Sequence, residues 1–171
     1  KGAMQSTGGN LLLDDLLGAE IQMLPNGTWD ELYQAAADLA ESFRRKGKVV
    51  YEIPIGGSSP EGAFAFYQAG LELLDQAAPF DMVLTASSSG STQTGLTYAF
   101  HNTNTILQGM ACDPEPDMPD EFVDRASKLD QLTGLNFGLR RVDFHFNRYY
   151  VGPGYGIPSE GGMAASRRLA Q

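Results

Sequence analysis

The chain has 171 residues, of which 42% are hydrophobic and 19% are charged. This is the composition of a globular protein that can bury an apolar core, and it excludes a disordered chain. The net charge of -9 argues against nucleic acid or an anionic membrane surface as the main partner.

Helical and strand periodicities alternate along the chain. The predicted elements are, in chain order, a helix over 10–17, a strand over 19–24, a helix over 28–47, a strand over 49–55, a helix over 58–76, a strand over 80–86, a helix over 92–101, a strand over 105–111, a helix from about 120, a strand over 142–146 and a helix from 159. This alternation predicts a three-layer α/β/α fold with a mostly parallel sheet that is covered on both faces.

Polar side chains at helix starts support these boundaries. Asn10 is placed to act as an N-cap, and Thr28 with Glu31 forms a capping box. Ser58 with Glu61 forms a second capping box, which opens the helix after the second strand.

The strongest local signal is the turn over 87–92, which follows a predicted strand and opens a helix. Its small residues let the backbone approach a ligand, and free N–H groups with the helix dipole favour an anion such as phosphate. The alternative is a serine-rich turn in which Thr92 is only the N-cap. The required lysine and the G-x-G-x-x-G spacing are absent, which excludes a nucleotide P-loop and a dinucleotide fingerprint.

Two further loops are candidates for ligand contact. The loop over 56–60 also follows a strand and opens a helix, and such loops converge at the carboxyl edge of a parallel sheet. Its alternative is a capped helix start without a ligand. Tyr155 lies between glycines in the loop over 152–156, where its hydroxyl could reach a pocket and bind a ligand or transfer a proton. The alternative is a tyrosine packed on the surface.

Other reactive side chains are interpreted as structural. His101 and His145 lie far apart in the sequence, and the acidic run over 113–121 is interpreted as a solvated loop, so no metal site is predicted. Cys112 is the one cysteine, which excludes an intramolecular disulfide. No apolar run reaches transmembrane length and no signal peptide is recognised, so we expect a cytoplasmic protein that binds no membrane.

Four segments together resemble one family of enzymes, the D-cysteine desulfhydrases and aminocyclopropane-carboxylate deaminases. They are Asn10-Leu11-Leu12-Leu13-Asp14 with Gly18-Ala19-Glu20, then Ile53-Pro54-Ile55-Gly56-Gly57-Ser58, then Ser89-Gly90-Ser91-Thr92-Gln93-Thr94-Gly95, and Gly154-Tyr155-Gly156-Ile157-Pro158 with Glu160-Gly161. Their order and spacing match along nearly the whole chain.

The resemblance implies the tryptophan-synthase-like fold, fold type II of the pyridoxal-phosphate enzymes, with pyridoxal phosphate as cofactor. It also implies that Tyr155 is a catalytic residue on the substrate side of the cofactor ring. The cofactor-binding residues that it implies are Ser89, Gly90, Ser91, Thr92, Gly57 and Ser58. The phosphate contacts are expected mainly from backbone N–H groups.

The family's Schiff-base lysine has no counterpart in this sequence. The lysines are Lys1, Lys46, Lys48 and Lys128, and none lies in the G-N-K context of the family. The resemblance therefore implies that residues 1–55 are the end of a small domain and that 56–171 are part of a large domain, both truncated. We expect such a chain to be inactive alone and its parent protein to be a homodimer.

Three functions remain open at this point. The first is a fragment of a lyase or deaminase like D-cysteine desulfhydrase, which forms a keto acid and ammonia, with sulfide from a cysteine; aminocyclopropane-carboxylate deaminase and L-cysteate sulfo-lyase are alternatives within the family. The second is a non-catalytic module that binds phosphate or a small molecule. The third is a structural α/β domain in which the loops only cap helices.

Overall fold

The computed structural model describes residues 9–24, 27–77, 79–112 and 118–171. The chain forms two compact units, residues 1–53 and 54–171. The helices and strands, in chain order, are α1 (Gly9–Leu16), α2 (Trp29–Arg45), α3 (Pro60–Ala77), β1 (Met82–Ser87), α4 (Ser91–Phe100), β2 (Ile106–Ala111), α5 (Met118–Thr133), β3 (His145–Asn147) and α6 (Glu160–Leu169). None of these described helices is both long and apolar enough to cross a membrane.

The first unit contains α1 and α2. The predicted capping box of α2 is confirmed, because the Glu31 N–H donates to Thr28 Oγ1 at 3.2 Å and the Thr28 N–H donates to Glu31 Oε2 at 2.7 Å. Helix α1 begins at Gly9, so Asn10 lies inside the helix and the prediction that it is the N-cap is wrong.

The two strands predicted over 19–24 and 49–55 are wrong. Neither segment pairs with another strand within the described residues, and an extended segment without a hydrogen-bonded neighbour forms no ladder. Alternating apolar residues predicted the second strand, yet Val49, Tyr51 and Ile53 are all exposed. The chain then makes a short 3₁₀ turn over Ile55–Gly57, where Gly56 has a φ of 70°.

The second unit is built on a parallel sheet of three strands in the order β1-β2-β3, which confirms the α/β class with a parallel sheet. Helix α4 covers the face that carries Leu107 and Gly109, and a side chain at Gly109 would overlap Gln93 of α4. On the opposite face Met82 and Leu84 are exposed. The strand predicted over 142–146 is shorter and later than expected, because residues Arg141–Asp143 form a 3₁₀ turn before β3.

The core of this unit lies between the helices and the covered face of the sheet. Its buried residues are Ala63, Tyr98, Phe122, Ala126, Leu129, Leu139 and Phe144. Aromatic rings dominate the packing: Tyr98 packs edge-on against Tyr67 with centroids 5.2 Å apart, and Phe122 packs edge-on against Phe146 at 5.7 Å.

Glycines set the distance between α3 and α4. A Cβ at Gly95 would lie 2.1 Å from the carbonyl oxygen of Ala63, and a Cβ at Gly70 would lie 2.5 Å from the Ala99 Cβ. The two helices therefore cross with backbone nearly touching, which fixes where the start of α4 lies relative to the start of α3.

A buried polar network joins α4 to α5 and to the loop after it. The Tyr98 hydroxyl donates to Asp130 Oδ1 at 2.7 Å and also contacts Thr133 Oγ1 at 2.9 Å. The carboxylate accepts two more bonds, from the N–H groups of Phe137 and Gly138. Burial acts to raise the pKa of Asp130, but the hydrogen bonds from Tyr98, Gly138 and Phe137 together lower it below its usual value.

Replacing Tyr98 with phenylalanine is expected to lower the free energy of unfolding by about 1–3 kcal/mol at pH 7, because a buried carboxylate loses a donor. Burial first, then Asp130, raises the pKa of Tyr98 to about 12 from 10.0. The stabilisation is therefore complete below about pH 10 and is lost as pH rises through about 12. Urea unfolding of both proteins across this range should show the difference shrinking; Tyr149→Phe, at an exposed ring, should leave stability unchanged at every pH.

Candidate functional site

The turn between β1 and α4 is held in a conformation that only glycine adopts readily at position 90. Gly90 is the N-cap residue of α4, with a φ of 94° and no side-chain cap, so Thr92 is not the N-cap. A Cβ at Gly90 would lie 2.0 Å from the Phe122 ring, so the loop backbone rests directly on α5.

The start of α4 has free hydrogen-bond donors. The N–H groups of Gly90, Ser91, Thr92 and Gln93 have no acceptor within the described residues, as expected for the first turn of a helix. No side chain replaces the missing acceptors, because the N-cap is glycine. These donors and the positive end of the helix dipole favour an anion at this point.

A cavity of about 210 Å³ lies at this helix start, where β1 and β2 end. It is lined by Ala86, Ser87, Ser88, Ser89, Gly90, Thr92, Gln93, Cys112 and Tyr155. The structure therefore brings Tyr155 to the same cavity as Ser89, Gly90 and Thr92, although more than sixty residues separate them in the sequence.

Five lining residues, Ala86, Ser87, Ser88, Gln93 and Cys112, were not among the individually predicted site residues, although Ser87 and Ser88 lie in the turn over 87–92 that was predicted to bind an anion. The Ser87 hydroxyl is buried and has no hydrogen-bond partner. Gln93 is fully buried; its Nε2 donates to the carbonyl oxygen of His145 at 2.8 Å, while its Oε1 has no partner. Cys112 is half-buried and directly follows β2. The rule that ligands bind at the carboxyl ends of parallel strands could also have indicated Cys112.

The loop over 56–59 contacts the turn between β1 and α4. The Ser58 hydroxyl donates to the carbonyl oxygen of Ser89 at 2.7 Å, and the Ser91 hydroxyl lies 3.3 Å from the carbonyl oxygen of Gly57 and 3.2 Å from that of Ser59. We call these three contacts the serine clasp. The side chains of Ser58 and Ser91 are thus engaged between the loops, and neither they nor Gly57 line the cavity.

The predicted capping box of α3 is wrong in its first residue. Ser59 caps the helix, because its Oγ accepts from the Gly62 N–H at 3.0 Å. Ser58 is one residue too early and is engaged by Ser89 instead.

Replacing Ser58 with alanine is expected to weaken phosphate binding at the α4 start about fivefold, because the loop loses one net hydrogen bond of roughly 1 kcal/mol that fixes its carbonyl groups. Isothermal titration with inorganic phosphate measures the change. Ser42→Ala removes a hydroxyl that also donates to a backbone carbonyl, that of Leu39, but within its own helix. Equal affinities for all three proteins would contradict a positioning role for Ser58.

Both histidines line a second cavity, of about 170 Å³, at the opposite, amino end of the sheet. The fold thus brings together two histidines that lie far apart in the sequence. No cluster of three or more His, Cys, Asp or Glu side chains that could hold a metal occurs in the described part of the chain. Of the acidic run, residues 113–117 lie outside the described ranges, and Asp120 pairs with Arg141 at 2.6 Å.

Two of the three described lysines, Lys46 and Lys128, contact other side chains. Lys128 pairs with Asp124 at 2.7 Å on the surface of α5, and Lys46 lies 5.6 Å from the centre of the Phe43 ring in the first unit. No lysine is part of the cavity lining.

The residues at the α4 start fit a phosphate monoester. Four backbone donors are available, the Ser87 hydroxyl is buried without a partner, and the glycine at position 90 keeps the loop close to α5. These are the features of backbone phosphate sites at helix starts.

Known proteins are similar to this chain in sequence and in fold. The sequence profile described as "Pyridoxal-phosphate dependent enzyme" matches residues 4–171. The chain is 29% identical to a 1-aminocyclopropane-1-carboxylate deaminase of Burkholderia cenocepacia over 95% of this chain and 51% of that protein. It is 30% identical to a D-cysteine desulfhydrase of Serratia proteamaculans over 96% of this chain and 51% of that protein.

A solved structure described as an ACC deaminase homologue superposes with a TM-score of 0.74 at 27% identity. The superposition covers 85% of this chain and 45% of that structure. The chain thus spans about half the length of the curated relatives it matches. Since the family profile extends over nearly all of its residues, the chain belongs to the pyridoxal-phosphate dependent enzyme family.

Proposed function

We propose that this chain is the phosphate-binding part of a lyase or deaminase that acts on a small amino acid, in the manner of D-cysteine desulfhydrase. The products would be a keto acid and ammonia, with sulfide when the substrate is a cysteine. The single observation that carries the proposal is the cavity at the α4 start, where unpaired N–H groups and Tyr155 meet. The named activities of its relatives support the reaction class.

Each residue of the site has a separate role in the proposal. The N–H groups of the segment from Ser89 to Thr92 hold the phosphate, and the Ser87 hydroxyl donates from the floor of the cavity. Gly57 and Ser58, predicted as cofactor-binding residues, contribute by holding the loop through the serine clasp.

Tyr155 is the residue that we assign to proton chemistry. It lines the cavity and is about half exposed, so its hydroxyl can hold or transfer a proton at the substrate. When bound, pyridoxal phosphate would supply the electron sink for the substrate's α-carbon.

The domain assignment belongs to the same proposal. We assign residues 1–55 to the end of a small domain and 56–171 to part of a large domain, and the two compact units support a boundary near this point. The Schiff-base lysine would come from a part of the protein outside this sequence. The parent protein would be a cytoplasmic homodimer.

Three alternatives to this proposal remain. Aminocyclopropane-carboxylate deaminase is the activity named for the Burkholderia relative, and L-cysteate sulfo-lyase is a third activity of the same class. A non-catalytic phosphate-binding module is favoured by the cavity lining, which includes no lysine.

The test uses the purified chain and its single cysteine as a reporter. Because Cys112 lines the cavity, inorganic phosphate or pyridoxal phosphate should slow its alkylation by iodoacetamide, measured by intact mass. The same protein should release no more keto acid from D-cysteine than free pyridoxal phosphate does. Cys112→Ser should show no adduct, which controls for labelling at other side chains.

Three outcomes separate the possibilities. Protection without turnover supports the proposal, and turnover on joining this chain to a lysine-containing remainder would distinguish the enzyme from the binding module. Turnover by the chain alone contradicts the proposed inactivity. No protection at any phosphate concentration contradicts the phosphate site itself.

A further inference from the structure

The candidate phosphate cavity has no cationic side chain in its lining. A phosphate monoester carries about -1.5 to -2 charges at neutral pH, and the protein has a net charge of -9. Backbone N–H groups and the helix dipole supply only a fraction of one positive charge. A positive charge on the far side of the loop from the cavity would therefore strengthen the binding of a phosphate here.

Arg125 of α5 occupies such a position. Its Nη1 atom lies 3.0 Å from the point where a Cβ on Gly90 would be, on the same side of the loop as the Phe122 ring. This nitrogen is buried from solvent, although the residue as a whole is only half-buried. The charge is thus separated from the cavity by one layer of glycine backbone, and buried charges are screened less than exposed ones.

Of the other charged groups of α5, Asp120 pairs with Arg141, and the buried Asp130 accepts hydrogen bonds from Tyr98, Phe137 and Gly138. Glu121, Asp124 and Lys128 are exposed, and the last two pair with each other at 2.7 Å. A second feature of the cavity independently indicates an anion, since the Ser87 hydroxyl is a buried donor without a partner in the lining.

We propose that Arg125 is the counter-charge of the phosphate site and acts on the anion through the loop, without touching it. This inference rests on the proposed function. Under this proposal there is a second reason for glycine at position 90, besides its left-handed backbone conformation. Any side chain there would push the guanidinium away from the cavity.

The test compares inorganic phosphate affinity by isothermal titration in the whole chain and two variants of Arg125. Arg125→Met removes the charge and keeps a long side chain against Phe122, and it should bind phosphate about tenfold more weakly, as expected for one partly buried charge several ångströms away. Arg125→Lys keeps the charge and should remain within about threefold of the unmodified chain. Added salt should weaken binding less in Arg125→Met than in the other two proteins.

A matched control removes one positive charge elsewhere in the same unit. Arg141 is exposed and precedes β3, at the edge of the parallel sheet opposite the cavity, so Arg141→Met should change affinity less than twofold. A loss equal to that of Arg125→Met would show that net charge matters and position does not, which overturns the inference.

The remaining outcomes also decide. If the unmodified chain binds phosphate and folded Arg125→Met binds it equally well, the inference is overturned and the proposed function stands. If Arg125→Met does not fold, Arg125→Lys decides, because a folded lysine variant that has lost phosphate binding would exclude a role for the charge. If the unmodified chain binds no phosphate, the proposed site and the inference both fail.

Discussion

Replacing Gly95 with alanine is expected to destabilise the second unit by about 3 kcal/mol, because overpacking a close-packed region typically costs 1–3 kcal/mol. The new Cβ would lie 2.1 Å from the Ala63 carbonyl oxygen and 2.7 Å from the Phe66 Cβ and the Tyr67 nitrogen. Two of these three atoms are backbone, so α3 and α4 must separate rather than adjust a side chain. Urea unfolding followed by far-UV circular dichroism measures the loss.

The control for Gly95 is a helical glycine with no neighbours. Gly161 lies in α6, and a Cβ there would meet nothing within 4 Å. Gly161→Ala should therefore stabilise the chain by roughly 0.5–1 kcal/mol through helix propensity alone. If both variants change stability in the same direction, the close approach of α3 and α4 does not limit the fold.

Replacing Gly90 with alanine is expected to cost about 3 kcal/mol and to abolish phosphate binding. A left-handed conformation costs a side-chain-bearing residue roughly 1–2 kcal/mol, and the overlap with Phe122 at 2.0 Å adds an overpacking cost. Relief of that overlap moves the start of α4, which carries the free N–H groups. Phosphate titration and urea unfolding on the same samples measure both effects.

Gly134→Ala separates the two causes. Gly134 has a φ of 73°, and a Cβ there would meet nothing within 4 Å, so only the backbone cost of roughly 1–2 kcal/mol applies. Its phosphate affinity should equal that of the unmodified chain. A Gly90→Ala protein that still binds phosphate tightly would contradict the assignment of the site to this loop.

The sequence predicted the second unit better than the first. Strands β1 and β2 were predicted within two residues at each end, since each is followed by the turn chemistry that stops a strand in an α/β unit. The segment over 49–55 is also rich in apolar residues typical of a strand, but it has no pairing partner within the described residues, and the pattern of one segment does not report whether a partner exists. The strand propensity of one segment does not predict whether a second strand lies beside it, and a sheet requires that second strand.

The sequence predicted which loops form the site, but it did not predict the contacts that hold those loops in place. The motif with Ser89 and Gly90 indicated an anion site, and glycines around Tyr155 indicated a ligand contact; the structure places all three at one cavity. Their binding roles stay predictions. The engagement of Ser58 by Ser89 depends on how two loops meet, and the place of Arg125 behind Gly90 depends on how α5 crosses. Such three-dimensional relations leave no local pattern in one sequence.

The parallel pairing of β1, β2 and β3 has a consequence for the order of folding. Each pairing requires a crossover through a helix, so the strands meet only after long loops have closed, which is slow compared with helix formation. The cavity has walls from the ends of β1 and β2 and from the later loop that carries Tyr155. Protection of Cys112 by phosphate during refolding should therefore appear only after the far-UV circular dichroism signal of the helices is complete. Phosphate would thus bind late in folding.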